Sequence, residues 1–342
     1  MSAVFRLVDR RPHLTGADLL TRLVPPRRFA SARFATYLPD PAHPSQAAAL
    51  AEMERFTAAI GEAPKPKRWR KQAAAAAPAR YLDGGYGVGK THLLAAAWHE
   101  ARSPKSYLTF AELAGIIGFL GMESAIQAFS AHRLLCVDEF ELDDIAQTLM
   151  TVTFLRAVIA AGVKVVATSN SLPDRLGEGR FAADDFTREI AAIASHFDVV
   201  RIDGPDYRAK ARVEADPFSA DEIEAMVQTL TAGGASASDD EFAELVAHLR
   251  VVPPVQVAAA LEGLDAVVIR DLAPLDNQGA ALLFVHLIDE VYDSGLTFVA
   301  SGCAVADLFP AAYRRGGYRK KYGRCESRLA ALLGEARIAA RS

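Results

Sequence analysis

The stretch Gly84-Gly85-Tyr86-Gly87-Val88-Gly89-Lys90-Thr91 sets four glycines ahead of a Lys-Thr pair and matches G-x-x-x-x-G-K-[ST]. It follows Arg80 to Asp83, a short run with strand character, and opens the helical pattern Thr91 to Ala101. A strand before and a helix after are the context this motif requires. Glycines let the backbone curl closely around a phosphate with its N–H groups turned inward, and the helix N-terminus adds a positive field. All eight residues are therefore candidate nucleotide-binding positions. Lys90 is suited to the β- and γ-phosphate oxygens, and the Thr91 hydroxyl to Mg2+. A glycine-rich turn with an incidental lysine accounts poorly for this density of glycine before Lys-Thr.

Working outward, short apolar runs alternate with helical segments as far as about Arg212. Besides Arg80 to Asp83 the expected strands are Ser106 to Phe110, Leu134 to Asp138, Lys164 to Ser169 and Val199 to Ile202. This is the βαβ rhythm of a parallel sheet flanked by helices. Leu134 to Val137 has the pattern of a buried strand, and it ends in Asp138-Glu139, 48 positions after Lys90. An acid at the end of such a strand lies at the carboxyl edge of the sheet, beside the phosphate loop. Asp138 is thus the candidate holder of Mg2+, and Glu139 the candidate base that orients and deprotonates an attacking water. A helix cap is the ordinary use of an Asp-Glu pair, and the position after a buried strand decides against it.

The strand from Lys164 ends in Thr168-Ser169-Asn170. Asn170 is the candidate for holding the water between Glu139 and the γ-phosphate, with Thr168 and Ser169 as substitutes; Asn is also common turn chemistry. Phosphoryl transfer gains from a cation on the developing charge. Of Arg175, Arg180 and Arg188, Arg180 is preferred as a finger reaching a neighbouring subunit, because Gly177-Glu178-Gly179-Arg180 reads as a free loop. Arg328, opening the apolar run Leu329 to Leu333, is the candidate in-chain sensor.

Two basic clusters stand apart from this machinery. Lys65 to Lys71 has five cations around Trp69, and Tyr313 to Arg324 has six cations interleaved with Tyr313, Tyr318 and Tyr322. Cations beside aromatics suit single-stranded nucleic acid. The formal net charge of −4 favours solvated loops instead. The chain is 51% hydrophobic and 23% charged, as expected of a globular protein. Cys136, Cys303 and Cys325 are odd in number and far apart, which points to a reducing compartment. Arg6, Asp9, Arg10 and Arg11 occupy the place of a signal-peptide apolar core, and the longest apolar run, Leu113 to Met122, is ten residues. A bilayer span takes about 20, so a cytoplasmic protein with no membrane span is expected.

Three regions are expected: a Pro/Arg-rich one over 1–75, the phosphate-loop core over 76–212, and an extension over 213–342 completing it. The first contains one helix, Ser45 to Ile60, with Ser45 as its cap and Ala49, Met53, Phe56 and Ile60 on one face. The last echoes the second. Ala266 to Leu272 parallels Leu134 to Phe140, and the step from Asp138 to Thr168 equals that from Asp271 to Ser301, 30 residues each. The echo reads as a degenerate βαβ unit extending the core, or as two ordinary units stacked.

These features together resemble the AFG-type ATPase family. The likeness takes in Tyr37-Leu38-Pro39-Asp40-Pro41 with Ser45-Gln46, Tyr81 to Thr91, Cys136-Val137-Asp138-Glu139-Phe140, and Val166-Ala167-Thr168-Ser169-Asn170. It continues through Asp206-Tyr207-Arg208, Leu287 to Asp293, and Arg324 with Ser327-Arg328-Leu329. It implies an α/β P-loop NTPase fold of AAA+ type, with ATP as the nucleotide and homo-oligomers sharing it. For bacterial members it implies association with the division-ring protein FtsZ; mitochondrial relatives act in protein quality control at the inner membrane. The segment Leu176 to Ile190 departs from the family's arginine-bearing stretch, and the loop Arg314 to Arg324 is unusual for it. Two other functions fit the same motifs: a nucleotide-switched adaptor with little turnover, and a helicase loader on single-stranded DNA.

Overall fold

The computed structural model describes residues 4–12, 15, 18, 20, 23–60, 78–140, 145–169, 194–205 and 216–340. In chain order its strands are β1 Val4–Phe5, β2 Ala79–Gly84, β3 Lys105–Thr109, β4 Leu134–Asp138, β5 Lys164–Ser169, β6 Phe197–Ile202, β7 Ala237–Glu241, β8 Ala266–Leu272 and β9 Thr297–Gly302. The α-helices of the first half are α1 Pro44–Ala58, α2 Lys90–Glu100, α3 Phe110–Leu120, α4 Met122–Ser130 and α5 Ile145–Ala160. Those of the second half are α6 Ala220–Ala232, α7 Phe242–Leu249, α8 Val257–Ala260, α9 Gln278–Asp293 and α10 Arg319–Ala340. The chain divides into two compact units, one of residues 15–25 and 29–207, the other of residues 1–14, 26–28 and 208–342.

The unit that carries the glycine-rich loop is built on a parallel sheet in the order β3-β4-β5-β2-β6. β4 is buried along its whole length, which is why Leu134 to Val137 is continuously apolar rather than alternating. Every strand expected over the first unit is present, Leu134–Asp138 and Lys164–Ser169 with the expected ends and the other three with shifted ones. Phe110 belongs not to β3 but to α3, because Thr109 caps that helix in a reciprocal capping box with Glu112. β6 starts two residues early, at Phe197. One sheet face packs Leu82, Val166 and Ile202 against Leu93, Leu94, Met53 and Phe56. Helix α1 supplies the last two, as its spacing predicts, but Ser45 does not cap it. Pro44 opens the helix, and the Ser45 hydroxyl accepts a hydrogen bond from the Asp203 N–H instead (2.8 Å).

The other unit has a sheet of its own, β1-β7-β8-β9, all parallel. This corrects the expected organisation twice. The C-terminal strands do not extend the first sheet: Val267, Val268, Ile269, Phe298 and Val299 close a separate core with Phe284, Ile288, Leu329 and Leu332. Residues 1–75 are not one region either, because their start joins this second unit. β1 lies beside β7, and buried Asp240 accepts the N–H groups of Leu7 (2.9 Å) and Val8 (3.3 Å). Arg28 is drawn in by the Tyr292 ring, 4.0 Å away, and by Glu335.

The echo between the two halves is structural, but one residue out of the alignment expected. β4 pairs with β5 from Leu134↔Lys164 to Val137↔Ala167, and β8 with β9 from Ala266↔Thr297 to Ile269↔Ala300. The equivalents are therefore Glu139 with Asp271 and Asp138 with Arg270. Glu139 and Asp271 both have left-handed backbones (φ 54° and 57°), and each donates its N–H to a hydroxyl on the next strand, Thr168 or Ser301, at 3.0 Å. The third strand repeats too: β3 and β7 each run into a helix beginning Phe-Ala-Glu-Leu, at 110–113 and 242–245. The second unit thus repeats β3-β4-β5, and among its described residues there is no counterpart of β2 and its glycine loop.

No single helix among the described residues is long and apolar enough to cross a membrane. α3 and α4 pass that test only as a pair bent by 118°, and Leu113, Ile116, Ile117 and Phe129 on them are core residues.

Candidate nucleotide site

The glycine-rich loop joins the end of β2 to the start of α2. Gly84 still belongs to β2, and a Cβ there would lie 2.2 Å from the Ile202 carbonyl oxygen, so β6 excludes any side chain. Gly87 and Gly89 take left-handed φ values of 65° and 91°, where glycine is unstrained. Helix α2 starts at Lys90, one residue before the sequence reading placed it, with Gly89 as its cap. The Lys90 ammonium folds back onto the carbonyls of Gly84 (2.8 Å) and Gly85 (2.6 Å). Those carbonyls hold the cation over the loop, at a helix N-terminus where the macrodipole favours an anion.

At the end of β4, Asp138 is buried and collects donors. Tyr107 from β3 gives its hydroxyl at 2.7 Å, made possible by the in-register pairing of β3 with β4. The Thr168 hydroxyl donates to Asp138 Oδ1, as does the Glu139 N–H (3.1 Å), and the Thr91 hydroxyl lies 3.4 Å from the same oxygen. Two predicted Mg2+ ligands, Thr91 and Asp138, are thus neighbours from different elements. Their donors are all oxygen, which suits a hard cation. Among the described residues no group of three or more His, Cys, Asp or Glu could hold a metal.

Glu139 is half-buried, at a left-handed turn that leads the chain out of β4; Phe140 N–H then bonds the Thr168 carbonyl at 2.7 Å. Thr168, named from the sequence as a substitute for Asn170, has its hydroxyl committed to Asp138 and to the Glu139 N–H. Asn170, Arg175, Arg180 and Arg188 lie outside the described residues, as does the cluster Lys65 to Lys71.

Arg328 lies in the second unit, buried against Asp289 (2.7 Å) and Asp293 (3.5 Å). Arg324 holds the other Asp289 oxygen at 2.7 Å. Burial alone would raise the Asp289 carboxyl, but the two guanidiniums hold it below the ordinary value. The cluster Tyr313 to Arg324 is also partly internal. Arg314 pairs with Glu326, Arg324 with Asp289, and Tyr322 is buried, stacked on Tyr313 at 5.3 Å. Such a tyrosine is not a free platform for a nucleobase.

Two contributors escaped the sequence reading. Tyr107 could have been found from register, once β3 and β4 were taken as neighbours. Tyr37 appears in the sequence only within the family likeness, with nothing to show its role: its hydroxyl donates to the Val88 carbonyl (3.0 Å) from 51 residues away.

The model of the AFG1-like ATPase family matches residues 16–252 and 215–341. The chain belongs to this family. Membership accords with the sheet order and the loop just described. Cell division protein ZapE of Escherichia coli (strain K12) is 33% identical over 147 residues, and so is that of Escherichia coli O157:H7. Each match spans 40% of this chain and 39% of the relative. Among solved structures, the DnaC helicase loader aligns over 52% of this chain and 99% of its own, at 19% identity and a TM-score of 0.37. AMPPCP-bound DnaA from Aquifex aeolicus aligns over 91% and 92%, at 12% identity and 0.39. Both scores are too low to carry a functional likeness.

Proposed function

We propose that this AFG1-like ATPase binds MgATP on Gly84 to Thr91 and hydrolyses it with Glu139 as the base, in order to remodel a division-ring protein assembly. The observation that supports the chemistry best is the convergence of Lys90, Thr91, Asp138 and Glu139, from two different strand ends, around one glycine loop.

On binding, Lys90 exchanges the Gly84 and Gly85 carbonyls for β- and γ-phosphate oxygens, a stronger charge-assisted pairing. Thr91 and Asp138 are the residues that would hold Mg2+, which when bound supplies charge neutralisation on the phosphates. The Glu139 carboxylate takes the proton of a water as that water's oxygen forms a bond to the γ-phosphorus. The bond from that phosphorus to the β–γ bridging oxygen breaks, and ADP leaves. Asn170 positions the water, Arg180 of a neighbouring subunit in a homo-oligomer stabilises the developing charge, and Arg328 serves as sensor. For that last role Arg328 has to exchange part of its pairing with Asp289.

The division-ring partner, FtsZ or another division protein, rests on the name of the Escherichia coli relatives and on the family resemblance. The cytoplasm is the matching compartment.

Steady-state ATP hydrolysis by the purified protein, measured against protein concentration beside Glu139→Gln, tests the reading. Expected are a specific activity that rises with concentration and a variant that binds ATP without turnover. Wild-type protein that binds ATP but never turns it over, with or without FtsZ, replaces the enzyme by a nucleotide-operated switch. Salt-sensitive capture of an oligonucleotide, lost on neutralising Lys67, Arg68 and Arg70, shifts the reading toward single-stranded DNA.

A further inference from the structure

Tyr37 is buried, and the edge of its ring closes on Gly89, a loop residue with no room for a side chain. A Cβ on Gly89 would be 2.4 Å from Tyr37 Cε2. The Tyr37 hydroxyl donates to the Val88 carbonyl at 3.0 Å, and burial pushes the phenol up to about 12, so it stays a donor through the physiological range. The residue before it is anchored as well. The Thr36 hydroxyl lies 3.1 Å from His92 Nε2, in the first turn of α2, and the Tyr37 and His92 rings are 5.7 Å apart.

The peptide that joins Val88 to Gly89 is trans. In a trans peptide the C=O and N–H point in opposite directions from one plane. Fixing the Val88 oxygen on Tyr37 therefore aims the Gly89 N–H away from Tyr37. Among the described residues nothing accepts that N–H, nor those of Gly87 and Val88. A run of unpaired N–H groups next to a helix start is an anion nest, and the orientation of its last member is set from outside the loop.

We propose that Tyr37 is a positioning residue that presets the Gly89 N–H as a phosphate donor, so that nucleotide meets an ordered loop. The inference rests on the nucleotide site proposed above. Preorganisation of this kind raises affinity by removing an ordering cost from the binding step. It acts on a group that ATP and ADP share, because the loop encloses the β-phosphate. It leaves the Asp138-Glu139 side of the site alone.

The test is Tyr37→Phe in the full chain, which keeps the ring on Gly89 and removes only the hydroxyl. Affinities for ATP and ADP, kcat and KM for ATP, and thermal unfolding without nucleotide are measured for both proteins. The proposal expects ATP and ADP to weaken alike, about five- to tenfold, with kcat within about twofold and the unfolding temperature within a few degrees of wild type. Wild-type affinity in the variant overturns it, as does a loss confined to ATP or one tracking a large drop in unfolding temperature. If the variant is destabilised, amide hydrogen exchange over residues 84–91 in nucleotide-free protein decides. Faster exchange limited to the loop supports presetting, and uniform change across the unit refutes it. Absence of nucleotide binding by wild type would instead remove the parent reading.

Discussion

Thr168→Val removes one hydroxyl and nothing else of consequence, since valine fills almost the same volume. That hydroxyl donates to Asp138 Oδ1 and accepts the Glu139 N–H at 3.0 Å, in a site that is 2% exposed. A hydrogen bond to a buried carboxylate contributes about 1.5–3 kcal/mol and a neutral one about 0.5–1.5 kcal/mol. Part is recovered, because the Glu139 N–H still has Asp138 Oδ1 at 3.1 Å and Asp138 still has Tyr107. Against this stands the left-handed backbone of Glu139, φ 54°, which costs on the order of 1–3 kcal/mol to hold. The two quantities are comparable, so without the hydroxyl the turn relaxes and the Glu139 carboxylate leaves its place. A displacement of about 1 Å at a catalytic group costs on the order of 10²-fold in rate. Single-turnover hydrolysis with saturating ATP should fall by about that factor, with ATP affinity near wild type because the glycine loop is untouched. Thr168→Ser should restore the rate, since Ser301 makes the same 3.0 Å bond to the Asp271 N–H. A valine variant with wild-type kcat, or a serine variant as slow as valine, refutes the reasoning.

Gly89→Ala places a methyl 2.4 Å from the Tyr37 ring at a φ of 91° and should abolish detectable ADP binding by calorimetry, since Tyr37 is buried and held by its hydrogen bond to Val88. Asp289→Ala leaves Arg324 and Arg328 buried without their shared acceptor; removing one partner of a buried pair costs about 3–5 kcal/mol. Urea unfolding of the full chain should show an earlier transition for that variant, confined to one of two phases if the units melt separately. The same pairing sets a pH dependence. The Asp289 carboxyl is held below its unfolded value, so its stabilisation is complete above that value and disappears as pH falls through the folded one. Acid titration followed by circular dichroism should therefore separate wild type from Asp289→Ala at neutral pH and bring the two together in acid.

The parts of the fold that were legible in the sequence are those fixed by local signals. The loop, its flanking strand and helix, and Asp138-Glu139 at the end of a buried strand all declare themselves within a few residues. Helix α1 was found from Ala49, Met53 and Phe56, but its start was misread. Ser45 has the chemistry of a cap and spends it on the Asp203 N–H, a partner 158 residues away. The same limit hid Tyr37 and Tyr107, whose hydroxyls act on Val88 and Asp138 across the fold. It also left β1 unseen, a strand that pairs with one more than 230 residues later. Short polar side chains satisfy whatever buried group the fold brings near, and sequence spacing carries no record of that.

The internal repeat separates what the scaffold supplies from what the chemistry requires. A left-handed acid after the middle strand, with its N–H on a hydroxyl of the next strand, occurs at both Glu139 and Asp271. It therefore belongs to the β3-β4-β5 architecture, and strain at Glu139 is not by itself a mark of catalysis. The differences are more telling. Asp138 is replaced by Arg270, which pairs with Asp239 at 2.7 Å and turns a cation-attracting position into a cation. Among the described residues no strand follows β9 in the sheet as β2 follows β5 in the other, and no glycine loop lies beside Asp271. The residue immediately before the left-handed acid and one further strand with its loop thus distinguish the proposed nucleotide site from its copy. This predicts that restoring an acid at Arg270 would leave the second unit without nucleotide, because in the proposed site β2, its loop and α2 grip the phosphates and the acids act only on what that loop holds.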